Sequence, residues 1–470
     1  MAATISSLGI GSGVLTADVI EQLRKVDEDR TIKPLETKLT LNSQKQEAYS
    51  LLSSLMTNLG ANTSSLKYDT IFENRGVSVA GEAEVSAVSG SNVESFSLKT
   101  TTLAKKDVTK LGAVDDKTAP IASDAGVLKI SNAGGDYDYE IAYEAGATLE
   151  EIAQAIRDKA GDNVSASILK TNDGAYNLVI SSKETGADEV LTIKDTDGVS
   201  EDHGTGFLDA RLFDPKTDLN PTGFEKTQDG VDAAFEYNGI EMTRSTNTID
   251  DLINGVTITL KKEDDLSNVS ISNDYSSVMD EMELFVTSYN NLMSNLQDMT
   301  TTDEEKGTEG VFNKDTFVRS ISRDLVKTIT AYGSDNDSLA NYGISLSSDG
   351  VMSFDKAILQ ERLDEDSTGV KLFFSGGVDG NGKERTGIFQ TIDDKIKSYT
   401  NPGELLSNYE TSLEDEAKSL SESKTASQKS LDARYETMAA KFAAYDSIIS
   451  KLENQFSSLK MMIDAEANAD

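Results

Sequence analysis

Cysteine and tryptophan are absent from this sequence, and histidine occurs once, at His203. Without cysteine there is no disulfide and no thiolate chemistry, and a zinc ion would find only carboxylates and His203. A Ser-His-Asp mechanism would have to run through that histidine, which stands in the loop-like stretch Glu201 to Phe207 and reads as an exposed loop residue. Basic charge is also scarce: lysine and arginine total 44 against 81 aspartates and glutamates, a formal net charge of -37. Nucleic acid and anionic membrane surfaces would repel such a chain, so neither is an expected partner. No apolar run is long enough to span a bilayer. Met1 to Gly13 is too small and polar for a signal peptide, so any export is expected to need no cleaved signal. Asp379 to Glu384 and Asp195 to Gly198 look like calcium loops but lack the spaced ligands and terminal glutamate of an EF-hand, and both read as tight turns. The acidic clusters Glu263 to Asp265 and Asp364 to Asp366 read as solvated faces. No enzyme activity, metal or cofactor is therefore expected.

What the sequence does contain is a long heptad. Leu431, Tyr435, Met438, Phe442, Tyr445, Ile449, Leu452, Phe456, Leu459 and Ile463 recur at steps of four and three. At about 1.5 Å per residue the seam makes a rod of roughly 50 Å. A lone helix cannot bury such a stripe. The spacing reaches back through Leu406, Tyr409, Leu413, Ala417, Leu420, Lys424 and Ser427, turning polar at the last two. A doubled step of four at Leu431 is a stutter, which locally unwinds a left-handed coil. Asn401 and Pro402 mark the expected start, as cap and first helical residue.

Residues 1–13 offer only Ile5, Leu8 and Ile10 for burial, and alone are expected to be disordered. A helix is expected from Thr16 or Asp18, with Glu21 as capping-box partner and Val19, Leu23 and Val26 as its apolar stripe. Pro34 breaks it, and the pattern resumes through Leu35, Leu39, Tyr49, Leu52, Met56 and Leu59 before loosening at Gly60. From Gly76 to about Asn273 strand-like alternation replaces it. Within that region Gly126 to Val199 reads as one helix on a small sheet, the helix capped by Thr148 and Glu151, with Asn172-Asp173-Gly174 as a turn. Strands follow at Ala234 to Tyr237, Glu241 to Arg244 and Val256 to Lys261, with a short helical turn at Ile249 to Ile253. Helical spacing returns at Val278 to Met299, Thr316 to Thr330 and Phe354 to Leu363.

The fold class is α+β multidomain, with helical and coiled-coil N- and C-terminal segments packed together and central β-rich head domains. The expected parts are 1–35, a disordered segment and helix of the terminal coiled coil; 36–75 with 274–430, a helical stalk; 76–110 with 225–273, a β-rich head; 111–224, an inserted β/α module; and 431–470, the C-terminal coiled-coil helix. Leu8, Val19, Leu23, Val26, Tyr435, Met438, Phe442, Tyr445, Ile449, Leu452, Phe456 and Leu459 are the candidate assembly interface.

Several stretches resemble one family. Ser6 to Leu23, SSLGIGSGVLTADVIEQL, is similar to the N-terminal signature of the bacterial flagellar filament cap proteins, also called hook-associated protein 2, and Asn247 to Lys261 is similar to the second signature. Asp280 to Leu296 and Leu431 to Leu452 resemble the C-terminal region, with Arg434, Tyr435, Phe442 and Asp446 at matching places. Residues 126–199 resemble a module shared by flagellins and cap proteins. The resemblance implies a homo-oligomeric ring, commonly of five subunits, at the distal end of the filament, where exported flagellin is arranged so that it folds and joins the lattice. It implies as partners flagellin, further copies of this chain, the flagellar type III export apparatus and an export chaperone, and an extracellular location at the flagellar tip. Cap proteins often carry larger outer domains, whereas one inserted module is recognisable here. A tip adhesin is the alternative reading; its aromatic surface would have to come from Tyr137, Tyr139 and Tyr143, which at strand spacing read as core. Flagellin itself is a closer rival, but it would carry different terminal signatures.

Overall fold

The computed structural model describes residues 17–92, 94–111, 113–171, 174–196, 208, 224–303, 308–331 and 337–467. Leu8 with the whole of 1–13, the turn residues Asn172 and Asp173, and His203 lie outside them. The chain forms two units, Met1–Ile71 with Tyr275–Asp470, and Phe72–Asp274. The two ends of the chain thus share one helical unit, and the β-rich part is the excursion between them.

The helical unit opens with α1 (Ala17–Thr31) and α2 (Lys33–Leu66). The break falls at Ile32, and Pro34 sits in the first turn of α2, where a missing N–H costs no intrahelical bond. The loosening expected at Gly60 does not occur. Packing overrides it: Gly60 lies against Ile396, where an added Cβ would stand 3.1 Å from its methyl, and Thr63 and Leu66 beyond it are fully buried.

The β-rich unit follows with β1 (Arg75–Ala80), β2 (Glu84–Ala87), β3 (Phe96–Thr102), β4 (Val108–Leu111), β5 (Gly126–Asn132), β6 (Asp138–Tyr143), α3 (Leu149–Ala160), β7 (Val164–Lys170), β8 (Tyr176–Ser182), β9 (Leu191–Thr196), β10 (Phe224–Gln228), β11 (Ala233–Tyr237), β12 (Ile240–Arg244), β13 (Thr248–Ile253), β14 (Val256–Thr259) and β15 (Asp265–Asn273). It holds two cores. The first joins the sheet β1-β15-β3-β11-β12 to the sheet β13-β14-β2 through Phe96, Leu98, Phe235, Ile249, Ile258 and Val269. Here the expected helical turn at Ile249 to Ile253 is instead strand β13. Ile249 is buried and pairs with Ile258, and the register shifts before Ile253 pairs with Val256. That irregularity sets Ile249 and Ile253 at a helix-like spacing within a strand.

The second core collects Leu128, Ile130, Ile141, Ile152, Ile156, Leu178 and Ile180 around α3. Thr148 and Glu151 form the capping box read from the sequence. The single small sheet expected there is two sheets, β6-β5-β9 and β10-β4-β8-β7. The second draws in β4 and β10, strands that reach outside the 111–224 boundary because β4 pairs with both β8 and β10. Tyr137 and Tyr143 are buried in this core and Tyr139 is half-buried, its ring 5.3 Å from that of Tyr137. Asp195 is buried too, its carboxylate held by the Tyr143 hydroxyl and by the amide of Leu208 at 3.1 Å.

The chain then returns to the helical unit through α4 (Ser276–Thr300), α5 (Thr316–Ile329), the hairpin β16 (Ile344–Leu346) and β17 (Met352–Phe354), α6 (Lys356–Ser375), the hairpin β18 (Gly376–Val378) and β19 (Glu384–Thr386), α7 (Ile388–Thr400) and α8 (Leu405–Ala467). Phe354 ends a strand; the helix expected from it starts at Lys356, where the Asp355 side chain caps the amide of Ala357. Asn401 caps the C-terminus of α7, not the N-terminus of α8, because Gly403 at φ 82 turns the chain before α8 begins at Leu405. The turn at Asp379 is closed from within: its carboxylate accepts the amides of Asn381 and Lys383 and the guanidinium of Arg385. Helix α2 packs against α4, α7 and α8, burying Leu52, Met56 and Leu59 with Phe285, Leu292, Phe389 and Ile392. Each such side chain contributes roughly 1.5–3 kcal/mol on burial, so this end of the unit is firmly held.

Candidate assembly interface

The same helices pair very differently towards the chain ends. The partners of α8 run backwards along α1 and α2: Tyr49 donates to Glu410 at 3.2 Å, Asn42 to Glu416 at 3.1 Å, Lys424 pairs with Glu36 at 2.9 Å, and Arg24 with Asp432. The two strands of this pairing are therefore antiparallel. Its apolar content falls steadily. At the distal end the buried apolar cluster is Ile32, Leu431 and Tyr435, with Ile20 and Met438 partly covered beside it, and Asp446 is buried further along α8.

Polar contacts hold this junction. Asp27 accepts the Tyr435 hydroxyl at 2.8 Å and the Arg434 guanidinium at 3.1 Å, while Arg24 binds Glu28 at 2.9 Å. Burial, with the Asp27 carboxylate beside it, pushes the Tyr435 hydroxyl above its ordinary range, so it stays protonated and donates. The hydrogen bond to Glu28, with Asp432 adding to it, raises the already high value of Arg24. These ions are exposed or half-exposed, and each pair contributes at most about 1 kcal/mol.

Of the residues singled out from the sequence, Tyr435 and Met438 come together with α1, although with Ile20 and Ile32 and not with the apolar stripe chosen there. Val19, Leu23 and Val26 face outward, exposed. The inward face of α1 carries Ile20, Arg24 and Asp27 in their place. Phe442 and Ile449 are half-buried, and Tyr445, Leu452, Phe456 and Leu459 are exposed, Phe456 at 77%. Ile448, Met461, Met462 and Ile463 are exposed on the same terminal turns. Arg24 and Asp27 went unnoticed in the sequence, although their three-residue spacing and opposite charges beside Ile20 were the available signal.

Along the last five turns of α8 the large side chains Leu452, Phe456, Leu459, Met461, Met462 and Ile463 are all exposed. A run of large exposed apolar side chains on one helix is the candidate association surface. Among the described residues no three His, Asp or Glu side chains cluster as metal ligands, and no helix is long and apolar enough to cross a membrane.

Comparison with known proteins supplies a context. Residues 12–107 match the model of the flagellar hook-associated protein 2 N-terminus, and residues 230–454 that of its C-terminus. Residues 127–184, within the second core, match the flagellin hook IN motif. Flagellar hook-associated protein 2 of Helicobacter pylori is 34% identical over 398 residues, covering 81% of this chain and 56% of the relative. That of Campylobacter jejuni is 29% identical, covering 79% of this chain and 64% of the relative, so the chain spans about three fifths of the length of these relatives. The Salmonella typhimurium protein is 26% identical, covering 98% of this chain and 99% of its own length. The D1-D2-D3 domains of the flagellar cap protein FliD from Escherichia coli share the fold, with a TM-score of 0.56 at 23% identity over 78% of this chain and 99% of that one.

Proposed function

This chain belongs to the flagellar hook-associated protein 2 family, and on that premise we propose that it is a structural cap at the distal end of a flagellar filament, outside the cell. The observation that carries the reading is the set of large apolar side chains exposed on α8, Tyr445, Ile448, Leu452, Phe456, Leu459 and Ile463, together with the exposed Val19, Leu23 and Val26 of α1. A cap must hold the filament end and yet give up contacts each time a subunit is added. A seam that is well buried near Leu52, polar at Arg24 and Asp27, and exposed at Leu452, Phe456 and Leu459 suits that duty better than a continuous apolar coil, since its distal part can exchange partners at low cost. In this reading copies of the chain form a ring, with a pentamer as the expected size, and the terminal helices dock it on the filament. The ring arranges exported flagellin so that it folds and inserts in order. Export runs unfolded through the flagellar type III apparatus, with an export chaperone. The adhesin reading loses its aromatic surface, because Tyr137 and Tyr143 are core residues.

The test is complementation of a strain lacking its own cap. Leu452→Asp with Phe456→Asp is expected to abolish filament growth and swimming while leaving the folded helical unit intact, both side chains being exposed in the single chain. Wild-type motility from that variant would remove the stripe from the mechanism.

A further inference from the structure

The helical unit carries two exposed pairs of like charge, opposite in sign and equal in spacing. On α5, Arg319 and Arg323 stand one turn apart and line a cleft of 640 Å³ against α4 and the turn of the β16–β17 hairpin. Asn290 fixes that hairpin, donating to the Met352 carbonyl and accepting from the Met352 amide, each at 2.8 Å. Lys327 extends the basic stripe by a further turn. Neither Arg319 nor Arg323 forms an ion pair among the described residues. On α8, Glu410 and Glu414 also stand one turn apart and line a cleft of 420 Å³ against Ser50 and Ser54 of α2. Glu410 accepts only the Tyr49 hydroxyl, and Glu414 has no ion pair among the described residues. The two clefts share no lining residue and no helix.

We propose that these are the two halves of one contact between copies of this chain, Arg319 and Arg323 of one copy seating against Glu410 and Glu414 of the next. Three arguments carry it. A ring is built from a heterologous contact, so each copy must present two different, mutually complementary patches. Each pair spans about 6 Å along its helix, four residues at about 1.5 Å, so both charges can be met at once when the helices lie side by side. In a chain of net charge -37 copies repel one another, and two arginines that form no ion pair among the described residues, with Asp349 the one carboxylate lining their cleft, locally reverse that repulsion. This contact rests on the ring reading and names the partner surface within it.

The experiment measures the mass of the full chain against concentration by light scattering, at low and high salt. Arg319→Glu with Arg323→Glu, and separately Glu410→Arg with Glu414→Arg, are expected to weaken association on the order of tenfold at low salt and by less at high salt, where the new like-charge repulsion is screened. Arg319→Gln with Arg323→Gln, which removes charge without adding any, is expected to give a smaller loss. The chain carrying all four reversals restores the attraction and is expected to associate within about threefold of the wild type. Double variants that assemble like the wild type, or a fourfold variant no better than the doubles, overturn this contact and leave the ring reading standing. A wild type that stays monomeric at every concentration overturns both.

Discussion

Two buried aspartates respond to acid in opposite directions. Burial alone would raise Asp393, but the ammonium groups of Lys397 at 2.7 Å and Lys67 at 2.6 Å outweigh it and hold the carboxylate below its usual range. A depressed folded value means that the stability it contributes is present above the ordinary carboxylate pKa of about 4 and is lost as pH falls through the folded value. Asp195 lies the other way. Burial pushes it up despite the Tyr143 hydroxyl and the Leu208 amide, so its contribution is fully present at low pH and lost as pH rises through the folded value. Acid therefore weakens the helical unit at Asp393 while relieving the β-rich unit at Asp195. Asp393→Asn is expected to cost about 2 kcal/mol at neutral pH, because Lys67, only 14% exposed, keeps its charge and loses its counter-ion. Urea unfolding followed by circular dichroism at pH 7 and pH 3 checks this: the gap between wild type and variant should narrow in acid, and an equal gap at both would assign the loss to packing.

At the scale of the element, the long helices were legible because their apolar residues recur without interruption. Helices α4 and α8 appear at Val278 to Met299 and across the Leu431 to Ile463 seam, and Thr148 and Glu151 announced α3 through a local bond that needs no tertiary partner. Where tertiary pairing decides, the local pattern misled. Ile249 and Ile253 have a helical spacing that β14 overrides, and Gly60 reads as a break that packing against Ile396 tolerates. Helix α7 went unread altogether, although Ile388, Ile392, Ile396 and Tyr399 hold one buried face. The candidate interface was half legible: the seam on α8 was plain, but on α1 the apolar stripe at Val19, Leu23 and Val26 drew the eye from Arg24 and Asp27, which make the contacts within the chain. Asp27→Ala removes the acceptor of both Arg434 and Tyr435. It should raise hydrogen exchange in α1 about tenfold and leave the α2 residues near Leu59 unchanged; unaltered exchange in α1 would mean that Ile20 and Ile32 suffice to hold it.

At the scale of the whole molecule, firmness and availability are divided along one pair of antiparallel helices. The proximal part around Leu52, Met56 and Leu59 is a finished core, the junction at Asp27 and Tyr435 is polar and shallow, and the stripe of Leu452, Phe456, Leu459 and Ile463 is exposed. A protein that worked alone would have reason to cover that stripe; one that completes itself on other chains has reason to leave it bare. The most direct measurement is the mass of the full chain in solution by light scattering, with electron microscopy of the particles, beside the Leu452→Asp, Phe456→Asp variant. The account predicts rings or stacked rings from the full chain and monomers or markedly weaker rings from the variant. A variant that assembles as well as the full chain would contradict it.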